Sequence, residues 1–306
     1  MFISVILTAY NRRAFITDAL RSVLDQSLDR KYWELIVVKN YSDETIDSLL
    51  VENNYKNIEM GGTIGEFLYE GIKNSNGNII SFLDDDDLFL KDKLAHIYNL
   101  FSQNHKLVFY HNNSLICSSD LATKEKSRIT KNPAFNLSSV NIRKSAINLD
   151  NLRKVRTTQD VYMLISAKEN GGKIKIGKRV ETYYRVNNES TQTSRFVNFD
   201  EYLVNKFNVL KPSYEQLLEF SIFFFGRKAR RALRKYQLAS YSYLLLFSGS
   251  KRVKLEVYLE AITLIPSFFY KGGISTLLNF LIYIMPNYFS RKYIFHLYKR
   301  EYKYQK

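Results

Sequence analysis

Short apolar runs alternate with amphipathic stretches along the first part of the chain. The runs have the length and the β-branched content of buried strands, and they lie at residues 2–10, 33–40 and 78–87. The stretches between them repeat their apolar residues at helical spacing, and they lie at residues 14–24, 43–54 and 63–77. Strands that alternate with helices predict βαβ units and a mostly parallel sheet.

Several polar residues mark the ends of these elements. Ser42 is a candidate N-cap for the second predicted helix, and Gly77 is a candidate C-cap for the third. A further strand is predicted at 106–118, and a helix at 161–172 ends at a double glycine. The β-rich segment 173–186 predicts either a strand pair or one long bent strand.

The last third of the chain has a different pattern. After residue 196 we expect no further strands, because aromatic-rich apolar segments with Lys and Arg at their ends predict helices. The longest uncharged run, 272–290, contains glycines, asparagines and a proline, so a membrane-spanning helix is the less favoured interpretation. An amphipathic element that lies on a membrane surface fits this run better. The two patterns predict two domains, at residues 1–195 and 196–306.

Composition is that of a folded protein. Of the 306 residues, 45% are hydrophobic and 25% are charged, which is typical of globular rather than disordered chains. Cys117 is the single cysteine, so no disulfide can form within the chain, and this fits a reducing compartment. The N-terminal apolar run is only as long as a strand and has no basic region before it, so no secretory signal is predicted.

The positive charge is concentrated in the tail. The formal net charge is +15, and residues 201–306 contain 18 Lys and Arg against six Asp and Glu. Residues 1–200 contain 27 Lys and Arg against 24 Asp and Glu, so this part is nearly neutral. The imbalance predicts that the tail binds an anionic partner, either a membrane surface or a nucleic acid.

Four consecutive aspartates, at positions 84–87, follow the apolar part of the third strand. In open parallel sheets, ligands bind beyond the carboxyl ends of the strands, so this acidic quartet is expected in a cleft. Packed carboxylates raise one another's pKa unless a cation neutralises them. Mg²⁺ or Mn²⁺, held by carboxylates and by the phosphate oxygens of a substrate, is such a cation. The alternative is that the quartet caps the following helix.

The motifs in their order resemble those of the family 2 glycosyltransferases of the GT-A fold. The resemblance rests on "SVILTAYNR", "ELIVVKNYSDET" and "GIKNSNGNIISFLDDDDLFLKDKL", and it covers about residues 1–190. It implies an α/β fold with a mostly parallel Rossmann-like sheet, followed here by a helical, basic and aromatic extension. It also implies sugar transfer from a nucleotide-diphospho-sugar, with inversion at the anomeric carbon and with Mg²⁺ or Mn²⁺ as cofactor.

The resemblance also implies roles on the donor side of the site. Residues matched to the nucleotide-binding positions are Thr8, Ala9, Tyr10, Asn11, Asn40, Asp84 and Asp85. Asp86 is matched to the direct metal ligand, with Asp84 beside it, while Asp87 is expected to cap the following helix or loop. Lys39 and Asn40 stand where the family usually has two acidic residues, which leaves the base of the donor open.

Further positions carry the chemistry and the acceptor. Asp160 matches the catalytic base that deprotonates the acceptor hydroxyl, although it also lies where a helix start could use it as a cap. Arg185 matches a residue that binds the donor diphosphate, the alternative being an ordinary surface ion pair. Ser138 and Ser139 match a segment on the acceptor side.

The basic, aromatic tail leaves three interpretations open. It is expected to bind an anionic membrane surface, which would place the protein in the cytoplasm at the inner face of the cell membrane, next to a glycan or lipid-linked acceptor. Nucleic-acid binding is disfavoured because the apolar runs are too long and too aliphatic for a phosphate-tracking groove. The third interpretation is a helical subdomain that buries its apolar faces against itself or against a second copy of the chain.

Two other functions compete with catalysis of sugar transfer. Substitutions at Lys39, Asn40, Gln159 and Asn187 relative to the family pattern suggest a sugar-nucleotide-binding scaffold that has lost activity. A nucleotidyltransferase is a weaker alternative, because such an enzyme needs a glycine-rich basic loop, and "LTAYNRRAF" contains no glycine.

Overall fold

The structure is a computed structural model, and it describes residues 1–118, 128–129, 135–186, 196, 198–247, 278–279 and 291–299. Within it the chain divides into two compact units. The first contains Met1–Val186 and Phe223–Ala229, and the second contains residues 187–222 and 230–306. The domain boundary after residue 195 stays a prediction.

The first unit is built on one mixed sheet. Its strands, numbered along the chain, are β1 Ile3–Ala9, β2 Trp33–Lys39, β3 Lys56–Glu59, β4 Ile79–Asp84, β5 Leu88–Phe89, β6 Leu107–Ser118, β7 Arg128–Ile129, β8 Val140–Arg143 and β9 Lys173–Val186. They are ordered β3-β2-β1-β4-β8-β6-β9-β5, and β7 pairs with β6. Strands β1 to β4 pair in parallel, whereas β8 is antiparallel to both of its neighbours. This agrees with the predicted α/β architecture of the GT-A type.

Helices flank this sheet and continue into the tail. They are α1 Ile16–Leu24, α2 Glu44–Glu52, α3 Ile64–Lys73, α4 Lys93–Gln103, α5 Gln159–Asn170, α6 Phe199–Glu219 and α7 Arg227–Phe247. All seven residues of β1 are buried, and the apolar faces of α1, α2 and α4 pack with β1, β2 and β4 in one hydrophobic core. The central strands are therefore rigid, and the site at their ends is placed by them.

Two predicted helix caps were wrong. Helix α2 is capped by Asp43, whose carboxylate accepts a hydrogen bond from the amide of Ile46 at 3.2 Å, and not by Ser42. Helix α3 ends at Lys73 with Asn74 as its C-cap, so Gly77 does not close it. A Cβ on Gly77 would lie 2.5 Å from the backbone nitrogen of Ser4, so the glycine instead permits a close approach to β1.

The second unit contains α6, most of α7 and the described part of the remaining tail. Aromatic residues dominate its packing, with Tyr202 fully buried among Phe196, Phe247 and Tyr298. In the described ranges no helix is long and apolar enough to cross a membrane. Most of the run 272–290, where an interfacial element was predicted, lies outside the described residues.

Candidate active site

Three parallel strands end at one edge of the sheet and bring the predicted donor-site residues together. Thr8 in β1 pairs with Asp84 in β4, and Ala9 pairs with Lys39 in β2. Because β1 lies between β2 and β4, the loops after all three strands open on the same side. The strand ends thus form the candidate site that the sequence pattern predicts.

The loop after β1 is locked to the loop after β2 by two asparagines. The Asn11 amide donates to Asn40 Oδ1 at 2.8 Å, and Asn40 Nδ2 donates to Asn11 Oδ1 at 2.7 Å. Asn11 has a φ of 57°, a left-handed conformation that asparagine tolerates better than most residues. Thr8 and Ala9 are buried, whereas the Tyr10 ring is exposed and packs obliquely on Phe67.

Lys39 does not place its charge in the site. Its ammonium is fully buried, lies 2.9 Å from Asp47 Oδ1 and 3.4 Å from Glu59 Oε2, and donates to the carbonyl of Tyr41 at 2.6 Å. These carboxylates satisfy the lysine on the far side of the loop. Relative to the family pattern, Lys39 therefore replaces an acidic residue of the donor site without adding a free cation there.

The acidic quartet is held by contacts from several elements. Arg12 Nη1 donates to Asp86 Oδ2 at 2.6 Å, and Arg12 Nη2 also binds Asp85 Oδ1. The amide of Asp84 donates to Ser138 Oγ at 3.0 Å, and Asp87 Oδ1 accepts from the amide of Arg185 at 2.9 Å. The quartet is thus part of the buried framework and not a solvated acidic surface.

The predicted capping roles of the quartet were wrong. Strand β5 separates the four residues from α4, and Asp92 occupies the cap position of that helix. The carboxylate of Asp87 instead joins the β4–β5 turn to β9 through Arg185.

Burial strongly affects how the carboxyl groups ionise. Desolvation raises the pKa of Asp85 to about 7, although Arg12 opposes this. Desolvation, followed by repulsion from their acidic neighbours, also raises the pKa of Asp84 and of Asp87. Such a cluster favours any cation that enters it.

Arg185 is buried next to the quartet with part of its hydrogen-bonding capacity unused. Its guanidinium lies 4.2 Å from the ring centre of Phe15, and Nη2 binds Asp18 Oδ2 at 3.2 Å. Among the described residues, neither Nε nor Nη1 has a hydrogen-bond partner, and Asp85 Oδ2 has none either. Buried donors and acceptors of this kind normally have a partner, so both point to a ligand that the structure does not contain.

Ser138 and Ser139 lie behind the quartet. Both side chains are fully buried, and the Ser138 hydroxyl binds the backbone of Asp84. The buried ammonium of Lys93 donates to the Ser138 carbonyl at 2.5 Å and to Thr182 Oγ1 at 3.1 Å. These contacts support the quartet from below, and an acceptor contact of the two serines stays a prediction.

Asp160 lies in the first turn of α5, two residues after a strained residue. Thr158, at the cap position, is left-handed with a φ of 55°, which is unusual for a β-branched side chain. Asp160 Oδ1 accepts from the amide of Val161 at 2.8 Å, and burial raises the pKa of the carboxyl to about 6. Repulsion from Asp160 is also the smallest of the causes that raise the pKa of Asp84, so the two carboxylates are near enough to influence each other.

The structure adds three site residues that the sequence did not indicate. Arg12 binds two of the four aspartates, and Lys93 supports them from below. Tyr184 interacts electrostatically with Asp84, Asp86, Asp87 and Asp160, and burial raises the pKa of its phenol. The burial of Lys93 could have been predicted, because Lys93, Ile97 and Phe101 are spaced four residues apart and so lie on the same, buried face of α4.

The site contains no preformed cage for a metal. In the described part of the chain, no three His, Cys, Asp or Glu side chains are arranged to hold a metal ion. The available ligands are one or two carboxylates at the end of β4. Mg²⁺ commonly binds to such a pair and completes its shell with water and phosphate oxygens of the substrate.

Comparison with known proteins gives a consistent family match. Residues 4–149 match the model of the family "Glycosyl transferase family 2". An uncharacterized glycosyltransferase of Rickettsia conorii is 35% identical over 117 residues, and a poly(ribitol-phosphate) β-N-acetylglucosaminyltransferase of Staphylococcus aureus, TarP, is 27% identical over 110. These alignments cover 36% and 34% of this chain, but they span only 18% and 34% of the two relatives.

Solved structures share the fold at low sequence identity. S. aureus TarS 1–349 in complex with UDP-GlcNAc superimposes with a TM-score of 0.56 at 18% identity, over 84% of this chain and 77% of that one. The mannosyltransferase PcManGT of Pyrobaculum calidifontis, in complex with GDP-Man and Mn²⁺, gives a TM-score of 0.52 at 13% identity. That match covers 90% of this chain and 83% of the other.

Proposed function

Because this chain belongs to glycosyltransferase family 2 through the domain at residues 4–149, we propose that it transfers a sugar from a nucleotide-diphospho-sugar to an acceptor hydroxyl, with inversion at the anomeric carbon. The observation that carries the proposal is a set of buried hydrogen-bonding atoms without partners at one edge of the sheet. Arg185 offers two unpaired donors within the described structure, and Asp85 offers an unpaired oxygen. A diphosphate with a bound cation fits both: the phosphate oxygens can accept from Arg185, and the cation can bind the carboxylate oxygen.

The donor end of the site suits a nucleotide. Two locked asparagines and the exposed Tyr10 ring form a polar and aromatic surface beyond β1 and β2. A base can stack on that ring, and a diphosphate can reach the free donors of Arg185. UDP-GlcNAc in TarS and GDP-Man in PcManGT are ligands of this class.

The carboxylates fit a divalent ion at the diphosphate. Asp86 and Asp84 would hold Mg²⁺ or Mn²⁺, and the raised pKa of Asp84 and the unpaired oxygen of Asp85 both indicate room for positive charge. When bound, such an ion neutralises negative charge on the departing nucleoside diphosphate. PcManGT was solved with Mn²⁺.

Asp160 is the proposed general base. A carboxyl with a pKa of about 6 is mostly ionised at neutral pH, and it can still take up a proton as the new bond forms. Asp160 removes the proton from the acceptor oxygen, which attacks the anomeric carbon on the face opposite the diphosphate. The bond to the diphosphate breaks in the same step, so the configuration inverts.

Asp160→Asn tests this assignment. The variant is expected to lose roughly 10²–10⁴-fold in turnover, because general-base catalysis contributes a factor of that size. Nucleotide binding should be kept, since the amide has nearly the shape of the carboxyl. Both can be measured with one preparation, by release of UDP or GDP from a panel of donors and by the thermal shift that each donor causes with Mn²⁺.

The exposed Asp150, ten residues earlier, provides the matched control. Asp150→Asn should keep full turnover. Near-normal turnover in Asp160→Asn would exclude Asp160 as the base. A wild-type protein that binds a donor but shows no turnover with glycan or lipid-linked acceptors would favour the alternative function, a sugar-nucleotide-binding scaffold.

The acceptor and the location belong to the same proposal. We place the enzyme in the cytoplasm at the inner face of the membrane, with a lipid-linked or cell-surface glycan precursor as its acceptor. The start of α7 supports this, because Arg227, Lys228, Arg230, Arg231, Arg234 and Lys235 are all exposed. Exposed cations near the aromatic Phe225 are typical of surfaces that bind anionic lipid.

A further inference from the structure

Arg12 occupies the carboxylates that a divalent ion would use. One guanidinium nitrogen lies 2.6 Å from Asp86 Oδ2, and the other binds Asp85 Oδ1, so the fork spans both residues. Asp85 and Asp86 are buried, while the Arg12 side chain keeps about a quarter of its surface exposed, at 23%. The arginine thus covers the quartet from the solvent side of the site.

The backbone and the side chain of Arg12 are held by different contacts, and the side chain is partly exposed. The Tyr41 hydroxyl donates to the Arg12 carbonyl at 2.6 Å, and the preceding Asn11 is locked to Asn40. The two ion pairs to Asp85 and Asp86 fix the guanidinium at the far end of the side chain. Because the side chain alone makes these ion pairs, breaking them leaves the backbone contacts at the strand ends in place.

A guanidinium and a divalent ion cannot share the same carboxylate oxygens. Both are cations, and in a buried site, where water screens charges only weakly, they repel each other strongly at contact distance. We propose that Arg12 and the divalent ion are alternative occupants of the acidic quartet, so that Arg12 must leave Asp86 before the metal binds. This inference rests on the proposed metal-dependent function and adds a residue that positions the quartet and controls metal entry.

The exchange makes metal affinity depend on the nucleotide. Without donor, Arg12 remains on the quartet in most molecules. The apparent affinity for metal is then the intrinsic affinity multiplied by the small fraction of molecules in which Arg12 has left. A diphosphate offers Arg12 another anionic partner, so it should favour metal binding. By reciprocity, the metal should tighten nucleotide binding by the same factor.

The test is a Mn²⁺ titration followed by the electron paramagnetic resonance signal of free Mn²⁺. It uses the full chain with and without UDP, or with GDP if donor screening favours it. In the absence of nucleotide, Arg12→Gln is expected to bind Mn²⁺ about tenfold more tightly than wild type, as for an arginine that is displaced in one molecule of ten. The nucleotide should then tighten Mn²⁺ binding less in the variant than in wild type.

Arg13→Gln is the matched control. Its guanidinium lies 4.8 Å from the ring centre of Tyr41 and forms no ion pair among the described residues. It removes one positive charge from the same loop, so it reports any general electrostatic effect on Mn²⁺ affinity. Its affinity should stay close to that of wild type. An equal gain in both variants would overturn the specific exchange.

A second variant covers the case in which Arg12→Gln does not fold. Arg12→Lys keeps the charge but cannot bind two carboxylates as a fork, so it should bind Mn²⁺ more tightly than wild type by a smaller factor. If Mn²⁺ binds to wild type with nucleotide and neither variant binds it more tightly, the exchange is wrong while the metal-dependent function stands. If Mn²⁺ binds to none of the proteins under either condition, the metal-dependent function itself fails, and the exchange fails with it.

Discussion

At the scale of single residues, the carboxyl group of Asp85 shows how burial changes ionisation in this site. Asp85 has only 3% of its surface exposed, and burial raises its pKa to about 7 even though Arg12 contacts it. In the unfolded chain an aspartate has a pKa of about 3.9. The folded protein therefore holds a proton on Asp85 over a pH range in which the unfolded chain has already lost it.

This difference sets the sign of a pH effect on stability. The folded pKa lies above the unfolded one, so the stabilising contribution is complete below about pH 4 and is lost as the pH rises through about 7. Asp85→Asn removes this contribution. Relative to wild type, the variant should gain thermal stability as the pH rises from 5 to 8, in buffer without divalent metal.

The measurement compares melting temperatures of the two proteins across that range. Using the difference between them removes the effects of other titrating groups, such as His111, whose pKa is lowered to about 4 by burial. The exposed Asp150→Asn variant should show a constant difference. A gap between Asp85→Asn and wild type that stays constant with pH would contradict the raised pKa.

At this scale, residue type and position after a strand predicted the quartet, whereas Asp160 and Arg185 became candidates through the family resemblance. What they bind in the protein could not be predicted. Asp87 bonds to the amide of Arg185, 98 positions later, and Lys93 reaches Ser138 and Thr182. Such contacts depend on which strands become neighbours, and a linear pattern of residue types does not determine this.

At the scale of the elements, helix α3 has its N-terminus closed by reciprocal hydrogen bonds. Thr63 accepts from the amide of Glu66 at 3.3 Å, and Glu66 Oε2 accepts from the amide of Thr63 at 2.7 Å, so the two residues form a capping box. The helix packs against β1 and β2, and its side chains Phe67, Leu68 and Ile72 are fully buried. Its N-terminus thus contributes directly to the stability of the sheet.

Thr63→Ala should lower the free energy of unfolding by about 1 kcal/mol, because it removes the side-chain oxygen that satisfies a free amide. Denaturant unfolding of the variant measures this. Thr17→Ala, at an exposed position in α1, is the matched control and should cost less. Equal losses in the two variants would show that the capping box adds nothing to stability.

The long, strongly patterned elements could be predicted, and the short ones could not. β1, β2, β4 and α1 follow the apolar pattern within a few residues. β3 has only four residues and a single, half-buried apolar side chain, so its pattern is too weak to detect, and β5 has two residues. The segment 173–186 is one strand, whose bulges opposite β6 explain why its pattern resembles two.

The whole chain combines a nearly neutral first part with a basic tail. Each Lys or Arg near an anionic bilayer contributes about 1 kcal/mol to binding. Replacement of four exposed α7 cations by Gln should therefore greatly reduce flotation of the full chain with anionic liposomes. The four are Arg230, Arg231, Arg234 and Lys235.

The control replaces four exposed lysines of the first unit, namely Lys106, Lys173, Lys175 and Lys178. This variant has the same net charge as the α7 variant but should float like wild type. Equal loss of flotation in both would mean that net charge alone governs binding. A wild-type protein that stays with the soluble fraction would contradict membrane association and favour a helical subdomain.

At the scale of the molecule, the sequence predicted the fold class and the change of character in the tail. It could not predict that the segment Phe223–Ala229 packs with the first unit, because this return depends on contacts such as those of Glu169 with the amides of Phe225 and Gly226. The carboxylate of Glu169 thus links α5 to a segment that the sequence pattern assigned to the tail.

The left-handed Thr158 has a consequence for how the proposed active site responds to heat. A β-branched residue in that conformation costs of order 1–3 kcal/mol, and it persists only while neighbouring contacts enforce it. The orientation of the Asp160 carboxylate therefore depends on contacts made by residues outside this turn. Warming, or a slight loosening of the surrounding core, should let this turn relax first, so reactivity would fade while the sheet is still intact.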